Sequence, residues 1–401
     1  MAGLKQVGNV QLMQKINRNK VVSLIRSNGP IARPAIAHET GLSMSSVTNL
    51  VLYLISQGLV KEVGTEDSGR VGRKAALLRF APEAYQLVCV TLDPTAIHAA
   101  LTDLDGNPQQ AVAVKLNAMN REYALEILRE EVRKLLEAGD RVRGIGVGVA
   151  GLVLEGTGRV WSSSLRWEET NIAQELAFRP EVPVLVENIS RTKAMYLARQ
   201  RDGFGLENSV FVDLDMGIGM VQVCDKKICS SVMGEIGHTT VERDGELCFC
   251  GNRGCLEAMC SPDRILRLVR EKLESGECPV LRKGLNGRDF KELTIQDVES
   301  AQFQGDRDVL EILRDCGEYL GIGLGNIINL FHPRQIILSG EISEPIYQTA
   351  VSGARARAYR KFVDGLILSR KAISSEESIQ GVAAFVTERL LDVDFDAGLI
   401  E

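Results

Sequence analysis

Long apolar stretches are absent from this sequence. None reaches the roughly 18 uninterrupted apolar residues that a membrane-spanning helix needs, and no secretory signal opens the chain. The sequence also lacks short-period repeats, low-complexity tracts and the paired cysteine spacing of a disulfide-stapled protein, and its nine cysteines are an odd number. These absences predict a protein of the reducing cytoplasm with no membrane partner. Its 401 residues suffice for two or three domains.

Histidine is scarce, with four in the chain, and one of them stands close to three cysteines. His238 precedes Cys248 by ten residues, and Cys250 and Cys255 follow. One imidazole and three thiolates form a donor set that tetrahedral structural zinc sites use, and glycines between the thiols suit a tight loop. A disulfide between Cys248 and Cys250 would be strained. The spacing therefore predicts a Zn²⁺ site, the alternative being ordinary free thiols beside a histidine.

Acidic residues are few at the start of the chain. Residues 1–80 contain eleven lysines and arginines but four aspartates and glutamates, a balance of +7, although the whole chain has a net charge of −6. Residues 81–401 therefore carry −13. A basic segment in front of an acidic body indicates a separate module with an anionic partner.

Three helices are predicted in this basic segment. Apolar residues at helical spacing run from Val10 to Ser27 and stop at a Gly-Pro pair, and a second helix fits Arg33–Thr40. After a tight turn, Ser43 can cap a third helix from Met44 to about Gln57. This spacing is typical of a helix–turn–helix. It leaves a set of polar side chains on or beside the outer face as candidates for reading a DNA groove: Ser43, Ser45, Ser46, Thr48 and Asn49.

A β-hairpin is predicted to follow the third helix. Two strands, the second from Ala76 to Phe80, flank a glycine-rich stretch. Cations in such a tip can contact DNA phosphates. Helices and hairpin together predict a winged helix–turn–helix domain over residues 1–82 that binds double-stranded DNA; the alternative is a small helical docking domain with a solvated loop. The tip carries three cations: Arg70, Arg73 and Lys74.

Strands and helices alternate in the second predicted domain, residues 83–401. Leu87–Leu92, Ile97–Asp103 and Ala111–Leu116 have the pattern of a strand meander, and Glu122–Ala138 that of an amphipathic helix. Strands that lead into glycine turns and helices predict an α/β fold. Further strands are predicted at 143–149, 182–186, 210–214 and 336–338.

The segment around the predicted metal ligands resembles a family signature. Gly234-Glu-Ile-Gly-His238, followed by Cys-Phe-Cys-Gly-Asn-Arg-Gly-Cys-Leu-Glu257, is similar to that of the ROK family of repressors, open reading frames and sugar kinases. The winged helix in front resembles the family's transcription-regulator branch, so the resemblance covers essentially the whole chain. It implies a two-lobed actin-like ATPase fold with a sugar in the cleft between the lobes. It also implies zinc near that cleft and a homodimer or homotetramer.

The resemblance also implies which side chains bind sugar. Carboxylates, amides and imidazoles offer the paired acceptors or mixed donors and acceptors that vicinal hydroxyls need. His238 can do this with one ring nitrogen while the other binds zinc. One family contact is changed, because Ser162-Ser163-Ser164 stands where relatives often have an asparagine. Four side chains match the family's sugar-binding positions: Asn188, Glu235, His238 and Glu257.

The residues that would transfer phosphate are altered. Kinases of the family have an aspartate base in a Glu-Asn-Asp motif, whereas this chain has Glu187-Asn188-Ile189, and isoleucine cannot accept a proton. Their phosphate-cradling Asp-x-Gly-Gly-Thr loop aligns with Thr91–Thr95, where both glycines are missing and Pro94 has no N–H. The glycines of 146–151 and 321–325 are expected to maintain the fold. The chain is therefore predicted to have no catalytic residues.

Binding without catalysis is the predicted function. The chain is expected to be a cytoplasmic transcriptional regulator of carbohydrate genes, a repressor that a sugar or sugar phosphate releases from its operator. One alternative is an active sugar kinase with a fused DNA-binding module, against which Ile189 stands. The other is a regulator whose effector is a protein, which predicts an occluded cleft and an exposed apolar patch.

Overall fold

The computed structural model of the chain describes residues 2–65, 75–116, 120–200, 208–215, 217–225, 227–229, 234–340 and 342–392, with side chains from residue 13 to 391. They form an amino-terminal module with a three-stranded sheet and two lobes, each with a five-stranded sheet. Among these described residues, no helix combines the length and the apolar character needed to cross a membrane.

The amino-terminal module contains α1 (Ala2–Asn28), β1 (Ile31–Ala32), α2 (Arg33–Thr40), α3 (Met44–Ser56), β2 (Val60–Thr65) and β3 (Ala76–Phe80). Its antiparallel sheet has the order β1-β3-β2. Gly41, with a φ of 71°, ends α2, and the Ser43 hydroxyl accepts the N–H of Ser46 at 3.2 Å to cap α3. The predicted helices and strands are confirmed. Helix α1 begins before the predicted Val10, because extending a formed helix needs no apolar face.

The first lobe contains β4 (Gln86–Leu92), β5 (Ala96–Asp103), β6 (Pro108–Lys115), α4 (Arg121–Ala138), β7 (Val142–Val149), β8 (Leu152–Leu154), β9 (Arg159–Ser162), β10 (Trp167–Asn171), α5 (Ile172–Glu175), β11 (Val184–Asn188) and α6 (Ile189–Arg199). Its main sheet has the order β11-β7-β4-β5-β6; β4 to β6 form the predicted antiparallel meander, and β7 and β11 run parallel to β4. Strands β8 to β10 form a separate antiparallel sheet. The strand predicted from Val182 begins at Val184.

The second lobe contains β12 (Asn208–Asp213), β13 (Gly219–Cys224), β14 (Lys227–Ile228), α7 (Leu256–Cys260), α8 (Pro262–Glu274), α9 (Pro279–Gly284), α10 (Ile295–Phe303), α11 (Arg307–Phe331), β15 (Gln335–Ser339), α12 (Glu344–Arg357), α13 (Arg360–Val363) and β16 (Ile367–Arg370). The sheet order is β14-β13-β12-β15-β16, with β15 parallel to β12 and β16. The chain then returns to the first lobe as α14 (Ser375–Asp392).

Close helix packing explains the glycine-rich stretches. Val386 of α14 is fully buried, and a Cβ on Gly146 of β7 would come within 2.3 Å of its side chain. A Cβ on Gly321 of α11 would lie 3.1 Å from the carbonyl oxygen of Ala350 of α12. Because interiors are packed this closely, larger residues would push the helices away. This supports the expectation that these glycines maintain the fold.

The amino-terminal module packs against the first lobe, and apolar side chains of both belong to one buried cluster. Arg26 of α1 donates to the carbonyl oxygen of Leu104 at 2.8 Å and pairs with Asp105 at 2.6 Å. Thr387 of α14 donates to the same Leu104 oxygen at 2.8 Å. The predicted domain boundary, between residues 82 and 83, lies in the short turn Pro82–Ala84. Movement in the first lobe can therefore reach α1 through direct contacts.

Candidate ligand cleft, metal centre and nucleic-acid interface

A cavity of about 460 Å³ lies between the two lobes. The first lobe lines it with the turn after β4, the β8–β10 sheet and the start of α6, and the second with the end of β12 and the start of α7. Ligands of open parallel sheets bind in such places, beyond the carboxyl ends of the strands. The four side chains predicted to bind sugar come together in this lining: Asn188, Glu235, His238 and Glu257.

Asn188 ends β11 and caps α6. Its Oδ1 accepts the N–H groups of Ser190 and Arg191 at 2.9 and 3.2 Å, and its Nδ2 donates to the Gly151 carbonyl oxygen at 2.7 Å. These bonds leave one Nδ2 hydrogen for a ligand. The capping role was missed from sequence, although an asparagine between a strand and a helix is a cap signal.

Glu257 lies in the first turn of α7 and contacts both lobes. Its Oε2 accepts the N–H of Ile218 at 3.0 Å. Ser163 of the first lobe donates its hydroxyl to Oε1 at 3.5 Å, the outer limit of a hydrogen bond. Ser163 belongs to the serine run that replaces the family's asparagine, so the altered position still contacts the cleft. A ligand that changes the separation of the lobes would act directly on this pair.

Glu235 and His238 meet between the cleft and the cysteines. Burial raises the pKa of Glu235, the neighbouring His238 imidazole lowers it, and the nearby Glu257 carboxylate raises it again. The Nε2 of His238 lies 3.9 Å from a Glu235 carboxylate oxygen, while its Nδ1 lies 3.6 Å from the Cys248 sulfur. The imidazole therefore presents one nitrogen to the cleft side and the other to the cysteines.

The four predicted metal ligands are gathered into one cluster. The donor atoms of His238, Cys248, Cys250 and Cys255 all lie within 4.8 Å of one another, and the sulfurs of Cys250 and Cys255 are 3.7 Å apart. Tetrahedral bonds of 2.0–2.3 Å would separate neighbouring donors by about 3.3–3.8 Å. The donor set and these separations thus fit a tetrahedral metal ion.

The metal-ligand loop connects two cleft residues of the second lobe, Glu235 and Glu257. Its backbone pairing includes two isolated bridges, Thr240 with Cys255 and Leu247 with Arg253. His238 follows Glu235 by three residues, and Cys255 precedes Glu257 by two. A metal ion bound by these ligands would therefore fix the two cleft glutamates relative to each other.

Ile189 lines the cleft at the first position of α6, where the family motif has an aspartate. Behind it, the Ser190 hydroxyl donates to Asp213 at 2.9 Å, and Lys193 donates to both Asp213 oxygens at 3.0 and 3.1 Å and to Asp215. Burial raises the pKa of Asp213, and the Lys193 charge opposes this shift. Sequence reasoning missed this network. Two carboxylates at the end of an apolar strand, just before glycines, were the available signal.

The turn that replaces the family's phosphate loop also lines the cleft through Asp93 and Pro94. The Asp93 Oδ1 accepts the N–H groups of Thr95 at 2.7 Å and Ala96 at 3.0 Å. The carboxylate closes the turn between β4 and β5 on itself. These amides are consequently bonded to a side chain of the protein and not directed at a phosphate.

The outer face of α3 is partly occupied by bonds within the helix. Ser43, Ser45 and Asn49 are exposed, whereas Ser46 and Thr48 are half-buried. The Ser43 oxygen lies 3.0 Å from that of Ser45 and 2.9 Å from that of Ser46, and Thr48 donates to the Met44 carbonyl at 2.8 Å. Asn49 therefore stands out as a candidate for base contacts, whereas Ser45 is exposed but shares its hydroxyl with Ser43. The predicted wing cations Arg70, Arg73 and Lys74 lie outside the described residues.

Two lobes around a polar cleft define an actin-like sugar-kinase fold, and a module of three helices and a three-stranded antiparallel sheet precedes it. Residues 87–389 match the ROK family model, and the chain belongs to this family.

Similar proteins include both regulators and kinases. The xylose repressor of Bacillus subtilis is 25% identical over 402 residues, covering 96% of this chain and 99% of the repressor. The DNA-binding transcriptional dual regulator NagC of Escherichia coli is 28% identical over 376 residues, covering 89% and 90%. A solved ROK family transcriptional regulator, a homologue of the E. coli Mlc protein, has a TM-score of 0.80 at 25% identity, covering 95% and 97%. A ROK glucokinase from Streptomyces griseus, with glucose and AMPPNP, has a TM-score of 0.64 at 23% identity, covering 75% and 98%, and shows the shared fold.

Proposed function

We propose that the chain is a sugar-responsive transcriptional repressor that does not phosphorylate its ligand. One observation carries this proposal: the cleft gathers sugar-binding types of side chain but has Ile189 where a kinase needs its base. The similarity to a xylose repressor and to a transcriptional dual regulator supports this proposal. Residues 1–82 would bind operator DNA, and residues 83–401 would bind the sugar. The protein would act in the cytoplasm as a homodimer or homotetramer, with Zn²⁺ on His238 and the three cysteines.

Helix α6 supplies a route from the cleft to the amino-terminal module. It begins at Ile189 in the cleft and ends at Arg199, which donates to the Ala384 carbonyl of α14 at 2.7 Å. Burial and then the charge of Arg26 lower the pKa of Arg199, so the end of α6 lies in the field of an α1 side chain. A sugar would release DNA by binding one arrangement of the lobes more tightly than the other, since equal affinity shifts nothing.

The open cleft favours a small-molecule effector over a protein effector. A cavity of about 460 Å³ with polar groups from both lobes suits a sugar. The protein-effector alternative predicted occlusion of this space and an exposed apolar patch. Phe249 beside the metal ligands is 61% exposed and Leu247 65%. If a protein were the effector, mutation of these two residues would abolish regulation while sugars left DNA binding unchanged.

We expect no sugar-dependent ATP hydrolysis. The missing base alone removes a contribution on the order of 10²–10⁴ in rate. Ile189→Asp alone should not create an efficient kinase, because the β4–β5 turn still lacks its phosphate-binding amides. A coupled assay for ADP with xylose, glucose and N-acetylglucosamine tests this. Turnover above background that disappears in Glu257→Ala would show that the chain is a kinase.

Replacing Arg70, Arg73 and Lys74 together by alanine should weaken binding to every DNA sequence. If each cation contacts one phosphate, the slope of log affinity against log salt should shrink by about 2.7. Anisotropy titrations of a labelled duplex, selected by the protein from a random pool, measure both effects at several salt concentrations. Alanine at three solvent-accessible cations of the first lobe, Arg121, Lys134 and Arg141, is the charge-matched control. An unchanged salt slope in the wing variant would remove these residues from the interface.

A further inference from the structure

If the cleft binds a sugar, as the proposed function requires, the charge of its lining determines whether a free sugar or a sugar phosphate fits better. A sugar phosphate would add about −1.5 to −2 units of charge near pH 7. Phosphate sites in proteins usually supply arginine, lysine or free backbone N–H groups. The described lining instead contains one histidine, no lysine or arginine, and six carboxylates: Asp93, Glu168, Asp213, Asp215, Glu235 and Glu257.

The cations that adjoin this lining are engaged by other groups. Lys193 has a side chain only 5% exposed, and its ammonium bonds to Asp213 and Asp215. Arg191 pairs with Glu187 at 3.3 Å. Arg166 lies over the Phe249 ring, its guanidinium carbon 5.6 Å from the centroid. A phosphate would have to compete with a carboxylate for the first two of these cations.

Backbone donors around the cleft are occupied in the same way. The first amides of α6 bond to the Asn188 side chain, so this helix start does not offer the anion site that a free N-terminus would. The amides of the β4–β5 turn bond to Asp93. The amide of Ile218, between the glycines after β12, bonds to Glu257 at 3.0 Å. In all three cases a side-chain oxygen of the protein accepts the backbone N–H groups that could otherwise bind a phosphate oxygen.

We infer that the cleft selects an uncharged, unphosphorylated sugar and rejects the phosphate ester of the same sugar. Hydroxyl groups donate to carboxylates, so a lining rich in acceptors suits a polyol. A phosphate ester would place its acceptor oxygens against the carboxylate oxygens of the cleft. Its negative charge would also face theirs, and both effects disfavour binding. The same features would also exclude the phosphates of ATP.

Paired ligands test this selection at constant ionic strength. Isothermal titration of the full chain is made with xylose and xylose 5-phosphate, glucose and glucose 6-phosphate, and N-acetylglucosamine and its 6-phosphate. The free sugar of a binding pair should bind at least about tenfold more tightly than its ester, as expected for unpaired like charges in a partly buried site. An ester that binds as tightly as its free sugar, or more tightly, would overturn the inference. If none of the six ligands binds, the proposed function fails and the inference falls with it.

Charge variants on β10 provide a matched comparison. Glu168 lines the cleft, whereas the adjacent Glu169 is not part of the cleft lining and pairs with Arg159 at 3.1 Å. Glu168→Lys should narrow the preference for the free sugar several-fold by improving the affinity for the ester. Glu169→Lys makes the same change of charge and should leave the preference near its original value. Equal effects of the two substitutions would contradict selection by the cleft lining.

Discussion

Cys250→Ser is expected to reduce the metal content of the purified protein from about one zinc ion per chain to nearly none, because a tetrahedral structural site needs all four donors. Cys250 is exposed, so the substitution removes a ligand with little loss of packing. The melting temperature should fall by at least about 5 °C, as loss of a few kcal/mol would produce in a domain of this size. Sugar affinity should fall as well, since the ligand loop connects Glu235 with Glu257.

Cys260→Ser is the matched control. Cys260 lies five residues after Cys255 but is not among the clustered donors, and its thiol donates to the Leu256 carbonyl at 3.2 Å, a bond that serine can also make. This variant should keep its zinc. Metal analysis by mass spectrometry on protein never exposed to chelator decides the matter. Wild-type protein without zinc, or a Cys250→Ser variant that retains it, would contradict the site.

Glu257→Ala is expected to abolish the response to sugar while leaving operator affinity unchanged. The carboxylate lies in the cleft, and a hydrogen bond to a charged group contributes about 1.5–3 kcal/mol, so sugar affinity should fall about 10- to 100-fold. DNA binding should persist, because α3 and the wing belong to another module. By linkage, removing the contact that distinguishes the two states removes the switch. Titration of both ligands in the same variant measures the separation.

Two further variants check this interpretation. Glu257→Gln keeps an acceptor for the Ile218 N–H and should lose less sugar affinity than alanine does. Glu274→Ala removes the same charge from an exposed position at the end of α8 and should behave like wild type. A Glu257→Ala protein that is still released by sugar with the wild-type midpoint would remove this residue from the binding site.

Features encoded over a few residues could be predicted from the sequence. The cap at Ser43, the stop after Asn28 and the four metal donors between His238 and Cys255 all depend on short spacing. The meander and the helix after it were evident because each has its own apolar period.

Pairings across the topology could not be predicted. Ser163 and Glu257 are 94 residues apart, and Arg26 and Asp105 are 79 apart; neither pair has a local pattern. The bond between Lys193 and Asp213 depends on how α6 packs over β12, which periodicity does not specify. For the same reason, Asn188 was assigned to the ligand although the protein itself uses most of its hydrogen bonds. The composition gave the net charge of the chain, but it could not show that six carboxylates line one cleft.

Release of DNA by a free sugar is the most direct test of whether this protein is a sugar-responsive repressor. A labelled duplex selected by the protein is saturated with wild-type chain, and xylose, glucose and N-acetylglucosamine are added while anisotropy is recorded. We expect that at least one free sugar returns the anisotropy to that of free DNA in wild-type protein but not in Glu257→Ala. Anisotropy that stays constant with every sugar, in a protein that hydrolyses ATP when sugar is present, would contradict it.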